Sequence, residues 1–142
     1  MQSQNSIDVL TTVTLDIRQE PDVILLVSHV RQQTLAAGMN ALMQTKLITA
    51  ASELARNMLN YAGGGQVRIE AVQQSQHTGL RLVFSDAGPG IADIDKAMQD
   101  GFSTGTGMGL GLPGARRLVS EFELVSVVGK GTTITLVMWM HG

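Results

Sequence analysis

The sequence predicts an α+β two-layer sandwich, a mixed and mostly antiparallel sheet with helices on one face. Three observations predict it. Helical patterns come early in the chain, strand patterns come in pairs late, and the paired strands have links short enough for hairpins. A doubly wound parallel sheet would instead alternate strand and helix throughout.

The elements follow in order. "VTLDI" (13–17) alternates and is β-branched, so it reads as a strand. "EPDVILLVSHVRQQTLAAGM" (20–39) reads as a helix, with Pro21 suited to the first turn and Gly38 to the C-terminal stop. A longer helix is predicted over 42–62, where Leu47, Ile48, Ala51, Leu54, Ala55, Met58 and Leu59 recur at helical spacing. "GGG" (63–65) ends it. Strands follow at 66–72 and 80–86, with a polar turn between them. A short helix is predicted over 94–101 and another over 113–122. Two last strands, 123–129 and 132–139, meet at "GKG". No repeat and no linker interrupts the chain, and 142 residues fit one domain spanning 1–142.

Composition excludes several classes. Charged residues are only 15% of the chain, well below the usual quarter, and the formal net charge is −2. That balance gives no electrostatic reason to expect nucleic acid. The low charge and eight methionines leave room for apolar contact with another protein. With no cysteine, disulfides, thiolate catalysis and cysteine metal sites are out. His29, His77 and His141 lack metal-ligand spacing. The first ten residues have no signal-peptide pattern, and the apolar runs are too short to span a bilayer. The expectation is a soluble, cytoplasmic protein with no membrane partner.

Three places carry chemistry. On the long predicted helix, Glu53 and Asn57 are four apart and share a face, near the azimuth of Lys46 and Asn60, with Arg56 toward its edge. A carboxylate can act as general base, and an amide oxygen suits hard Mg²⁺. The ordinary alternative is a solvated helix face. In "SDAGPGI" (85–91), alternation puts Asp86 on the side of Leu80, Leu82 and Phe84, where a carboxylate needs a donor. It could accept from an exocyclic amine such as that of adenine, or cap its own turn, with Gly88 and Gly90 shaping the loop.

The third place is "GFSTGTGMGLGLPGARR" (101–117). Glycine loses more freedom on ordering than any other residue, so such density needs a reason. Gly105, Gly107, Gly109 and Gly111 alternate, with Thr106 and Leu110 among them, just before a predicted helix start. Side-chain-free backbone there offers clustered N–H donors to phosphate, and also permits a mobile lid. Ser103 and Thr104 add hydroxyls; Arg116 and Arg117 could reach phosphate, an acidic partner or only solvent. After "GKG", Thr132 falls on the inward face of the last strand, where its hydroxyl needs a partner. Neither a Rossmann fingerprint nor a P-loop is present.

The order of these motifs is E-x-x-R-N on a helix, D-x-G-x-G after a strand, a glycine-rich segment before a helix, then G-T at the last strand. It resembles the GHKL (Bergerat) ATP-binding fold of gyrase, histidine kinases and mismatch-repair ATPases, over nearly the whole chain. "SELARNMLNYA" (52–62), "DAGPGI" (86–91) and "STGTGMGLGLPGARRLVSEF" (103–122) look closer to its small bacterial serine/threonine switch kinases, the stressosome type first and the anti-sigma-factor type next. The resemblance implies a catalytic role for Glu53, as base toward a protein hydroxyl, and for Arg56. It implies Mg²⁺ at Asn57, adenine at Asp86 with Gly88 and Gly90, and ATP phosphates at Gly105, Thr106, Gly107, Gly109, Leu110 and Gly111. Thr132 would stand near the base. It further implies phosphorylation of a STAS-domain protein in a stress or sigma-factor pathway, with a phosphatase or sigma factor as further partners. A nucleotide-dependent anti-sigma or adaptor module with little kinase activity is the alternative. An orphan histidine-kinase catalytic domain ranks behind both, since the spacing of Glu53, Arg56 and Asn57 looks more like the serine-kinase branch.

Overall fold

The protein is described here from a computed structural model covering residues 6–99 and 111–140. Its elements are β1 (Asp8–Ile17), α1 (Glu20–Ala36), α2 (Ala41–Ala62), β2 (Gly65–Gln74), β3 (His77–Asp86), α3 (Ile94–Ala97), α4 (Gly111–Leu118), β4 (Glu121–Val127) and β5 (Gly131–Trp139). The strands form one sheet in the order β1-β2-β3-β5-β4. Helices cover one face of it. No helix among the described residues is long and apolar enough to cross a membrane.

Local signals set the helix ends. Asp22 Oδ2 accepts from the backbone N–H groups of Arg18 and Gln19, at 2.8 and 3.1 Å, tying off the start of α1. Asn40 caps α2, its Oδ1 accepting from Met43 N–H at 2.8 Å. Gly63 closes the same helix in the left-handed conformation, φ 73°. Between those ends Leu47, Ala50, Ala51, Leu54, Ala55 and Met58 are buried, one continuous stripe toward the sheet. Burying each leucine fully contributes about 1.5–3 kcal/mol. The sheet answers with Val67, Ile69, Leu80, Leu82, Phe84, Ile134 and Leu136.

Several expected boundaries move. The first strand starts at Asp8, because β1 pairs with β2 along its whole length, past an irregularity between Val9 and Thr11. The expected strands 66–72 and 80–86 lengthen until only Ser75 and Gln76 join them. The expected helix 94–101 is described only over Ile94–Ala97, capped by Asp93 and ended at Met98. The expected helix 113–122 begins at Gly111 and stops at Leu118. Ser120 N–H already donates to Val137 C=O at 2.9 Å, so the sheet captures the chain before the helical pattern ends.

The expected mixed sheet is antiparallel in every pairing. The chain leaves β3, passes through α3 and α4, and returns as β4 in the direction of β3. The β4–β5 hairpin then inserts β5 between them, so the two like-directed strands never touch.

The sheet's other face carries a buried charge. Glu70 is 5% exposed and lies between Arg81, at 2.7 Å, and Arg68, at 3.2 Å. Nearby, the Trp139 indole lies against Gly79 and donates its Nε1–H to Glu121.

Candidate functional site

The C-terminal half of α2, the loop after β3, α3, the start of α4 and the first residues of β5 enclose a cavity of about 490 Å³. That volume falls in the range of small-molecule sites. Most of its wall is apolar, including Leu54, Met58, Phe84, Ile91 and Ile134. Asn57, Asp86 and Thr132 supply polar groups.

Asp86 is the last residue of β3, delivered to the cavity by strand alternation. Its Oδ1 accepts from Gly88 N–H at 2.9 Å and from Thr132 N–H at 3.3 Å. Those two bonds fix the carboxylate. Its Oδ2 takes no hydrogen bond among the described residues, and Asp86 lines the cavity. Turn capping therefore uses one oxygen of Asp86 and leaves the other without a bond among the described residues.

The loop after Asp86 is tightly held. A Cβ at Gly88 would lie 2.5 Å from Ala62 Cβ, the last residue of α2. Gly90 has φ 78°, and a Cβ there would lie 2.5 Å from the Val127 carbonyl oxygen. Both positions need glycine, the first for close approach and the second also for its backbone.

Thr132 stands opposite Asp86 in the β3–β5 register, and opposite Ser126 in the β4–β5 register. It is 9% exposed. Its Oγ1 lies 2.7 Å from Ser126 Oγ. Ser126 Oγ also accepts from Ile91 N–H at 2.7 Å and lies 3.3 Å from the Gly131 carbonyl. The partner that the buried Thr132 hydroxyl needs is thus the Ser126 hydroxyl. Nothing in the sequence reading singled out Ser126. Alternation in "ELVSVVG" turns it inward, yet its bond to Ile91 spans 35 residues.

On α2, Asn57 lines the cavity, and its amide makes no hydrogen bond among the described residues. Glu53, one turn earlier, does not line the cavity. It reaches α4 instead, its Oε1 accepting from Gly111 N–H at 3.2 Å. Gly111 opens α4 with φ 68° and is buried. Arg56 is not brought to the cavity. It is exposed and turns to α1, with Nε 3.2 Å from Glu20 Oε1. Tyr61, one turn past Asn57, lines the cavity mouth at 48% exposure, a position the i+4 spacing could have supplied. Arg116 and Arg117 are exposed in the last turn of α4. Gly105, Thr106, Gly107, Gly109 and Leu110 lie outside the described residues, as do Ser103 and Thr104.

An adenine nucleotide with Mg²⁺ fits this donor set. Asp86 Oδ2 and the Asn57 amide, both on residues lining the apolar cavity, make no hydrogen bond among the described residues. No cluster of three or more His, Cys, Asp or Glu exists among the described residues.

Comparison with known proteins gives consistent matches. A family model described as histidine kinase-, DNA gyrase B-, and HSP90-like ATPase matches residues 43–141. The curated serine/threonine-protein kinase RsbT of Bacillus subtilis (strain 168) is 45% identical over 125 residues, which is 88% of this chain and 94% of that protein. Among solved structures, the RsbU and RsbW domains of Rv1364c from Mycobacterium tuberculosis align with TM-score 0.65 at 17% identity. That match covers 94% of this chain and 34% of the other, so this chain spans about a third of it. The SiaB–SiaC complex from Pseudomonas aeruginosa aligns with TM-score 0.56 at 13% identity, over 93% and 91% of the two chains. At these identities the two structures speak to the fold.

Proposed function

We propose a specific phosphotransfer for this chain, which belongs to the histidine kinase-, DNA gyrase B-, and HSP90-like ATPase family. Within that family it stands with the serine/threonine-protein kinases. The proposal is that it moves the terminal phosphate of Mg-ATP to a serine or threonine of a STAS-domain protein, as a partner-switching regulator. The observation that carries it is Asp86, held by two backbone N–H groups through one oxygen and open to the cavity through the other.

Asp86 Oδ2 accepts from the exocyclic amine of adenine, and the apolar wall of Phe84, Ile91 and Ile134 takes the ring. Asn57 Oδ1 would hold Mg²⁺. Mg²⁺, when bound, neutralises charge on the phosphate oxygens. Glu53 anchors the start of α4 through Oε1 and keeps Oε2 for the acceptor hydroxyl, whose proton it takes as that oxygen bonds to the γ-phosphorus and the bond to the bridging oxygen breaks, releasing ADP. The Gly111 N–H is taken by Glu53, so in this arrangement Gly111 ties the glutamate to the start of α4 instead of offering that N–H to phosphate. Gly105, Thr106, Gly107, Gly109 and Leu110, outside the described residues, are proposed as phosphate contacts on the sequence resemblance alone. Arg56, paired outward with Glu20, is left out of the transfer.

A second reading has its own observation. Val125, Val127 and Val128 are 55%, 51% and 65% exposed on and just after the edge strand β4. Such a patch suits a nucleotide-gated binding module whose main product is a complex.

The test is transfer of labelled γ-phosphate from Mg-ATP into purified STAS-domain proteins of the same genome, with an acid wash. Acid-stable label that disappears with Glu53→Gln supports the kinase reading. Nucleotide binding without label leaves the binding module, and acid-labile label points to histidine chemistry.

A further inference from the structure

Asp86, Thr132 and Ser126 form one rung across three strands, β3, β5 and β4. The rung reaches the loop after β3 through Ile91 N–H. A hydroxyl has one proton to give and two lone pairs to accept with. Ser126 Oγ takes Ile91 N–H on one lone pair, at 2.7 Å. Two partners remain for it, Thr132 Oγ1 at 2.7 Å and the Gly131 carbonyl at 3.3 Å.

One proton arrangement satisfies all of these groups together. Ser126 donates to the Gly131 carbonyl, and Thr132 donates to Ser126. The Thr132 proton then points away from the cavity, and only its lone pairs face inward. Asp86 Oδ2 is an acceptor on the same wall. The rung therefore shows two acceptors and no donor, which matches an amino group. A carbonyl at the same place would face two acceptors unpaired, a costly arrangement in an apolar cavity. Reversing the Thr132 proton to meet a carbonyl requires Ser126 to abandon Gly131.

We infer that Ser126 is a positioning residue for base selection: it holds the Thr132 hydroxyl as an acceptor, so that the cavity takes a 6-amino purine and refuses a 6-oxo purine. The inference rests on the cavity being a purine-nucleotide site. Ser126 touches no ligand in this account; it acts through Thr132.

The test is equilibrium binding of ADP and inosine diphosphate, with Mg²⁺, to the full chain. These probes exchange the amino group for a carbonyl. The wild type prefers ADP. In Ser126→Ala the Thr132 hydroxyl turns freely, and the preference narrows by about tenfold, through tighter binding of inosine diphosphate. Ser126→Thr, which keeps the hydroxyl, restores the preference. Ser126→Cys keeps the volume with weaker hydrogen bonding and narrows it too, which covers the case of a poorly folded alanine variant. A purely structural serine would weaken both nucleotides alike and leave their ratio unchanged, and that result overturns the inference. Wild-type protein that binds both equally overturns the inference and leaves the nucleotide site standing; wild-type protein that binds neither removes the nucleotide-site reading, and the inference with it.

Discussion

Asp86 and Thr132 occupy one rung of the β3–β5 ladder, and the aspartate accepts the threonine's own backbone N–H at 3.3 Å. The strand that follows the turn therefore helps to aim the carboxylate that ends β3. A fixed carboxylate with one open oxygen reads a ligand better than a mobile one, because less ordering accompanies binding.

Asp86→Asn keeps an oxygen for Gly88 and Thr132 but loses the charge. If the amide keeps that oxygen in place, its NH₂ meets the amino group of adenine. ATP affinity should fall by about 10- to 100-fold, the range for a hydrogen bond to a charged group. Melting should shift little. Calorimetric titration beside a thermal melt separates the two effects.

Glu53→Gln should leave the fold and ATP binding nearly intact, since the amide oxygen can still accept from Gly111 N–H. Phosphate transfer should fall by about 10²–10⁴-fold, the usual contribution of a general base. Single-turnover transfer at saturating ATP is the measurement. Transfer at the wild-type rate would remove Glu53 from the proton path.

Much of this site was legible in the sequence. Glu53 and Asn57 share a face by spacing alone, and alternation sent Asp86 inward. What was not legible lies in long-range pairing. Arg56 looked like a cation beside the site until Glu20, 36 residues away, drew it outward. Ser126 looked like an ordinary strand serine until Ile91 and Thr132 met it. The end of α4 was hidden because Leu118 and Val119 suit a helix, while the bond from Ser120 to Val137 ends it.

Arg56→Ala should change stability by less than about 1 kcal/mol, because the pair with Glu20 is exposed on both sides. ATP affinity should be unchanged, since Arg56 does not line the cavity. Denaturant unfolding and nucleotide titration check both halves. A large loss of affinity would mean that the arginine leaves Glu20 when nucleotide arrives.

Arg81→Met should destabilise the fold by about 2–3 kcal/mol, because it leaves the buried Glu70 carboxylate with Arg68 alone. ATP binding by the folded fraction should be unaffected, as the pair lies on the opposite face of the sheet. Urea unfolding with and without ADP reads both.

Gly90→Ala places a methyl against the Val127 carbonyl at a backbone angle that suits glycine. It should lower stability by more than about 1 kcal/mol and weaken nucleotide binding, because the loop that carries Ile91 must shift. Gly129→Ala is the control. It shares the positive φ, 81°, but meets no atom within 4 Å, so it should cost strain without displacing the loop.

The central claim is that the cavity between α2 and the Asp86–Thr132 rung is the nucleotide site. The most direct measurement is a backbone amide NMR titration of the wild-type chain with Mg-ADP. The largest shifts are expected at Gly88, Ile91 and Thr132, with a further change in the Asn57 side-chain amide. Residues of the far sheet face, such as Arg81 and Thr135, should barely move. Saturable shifts centred on that far face, or no shifts at millimolar nucleotide, would contradict it.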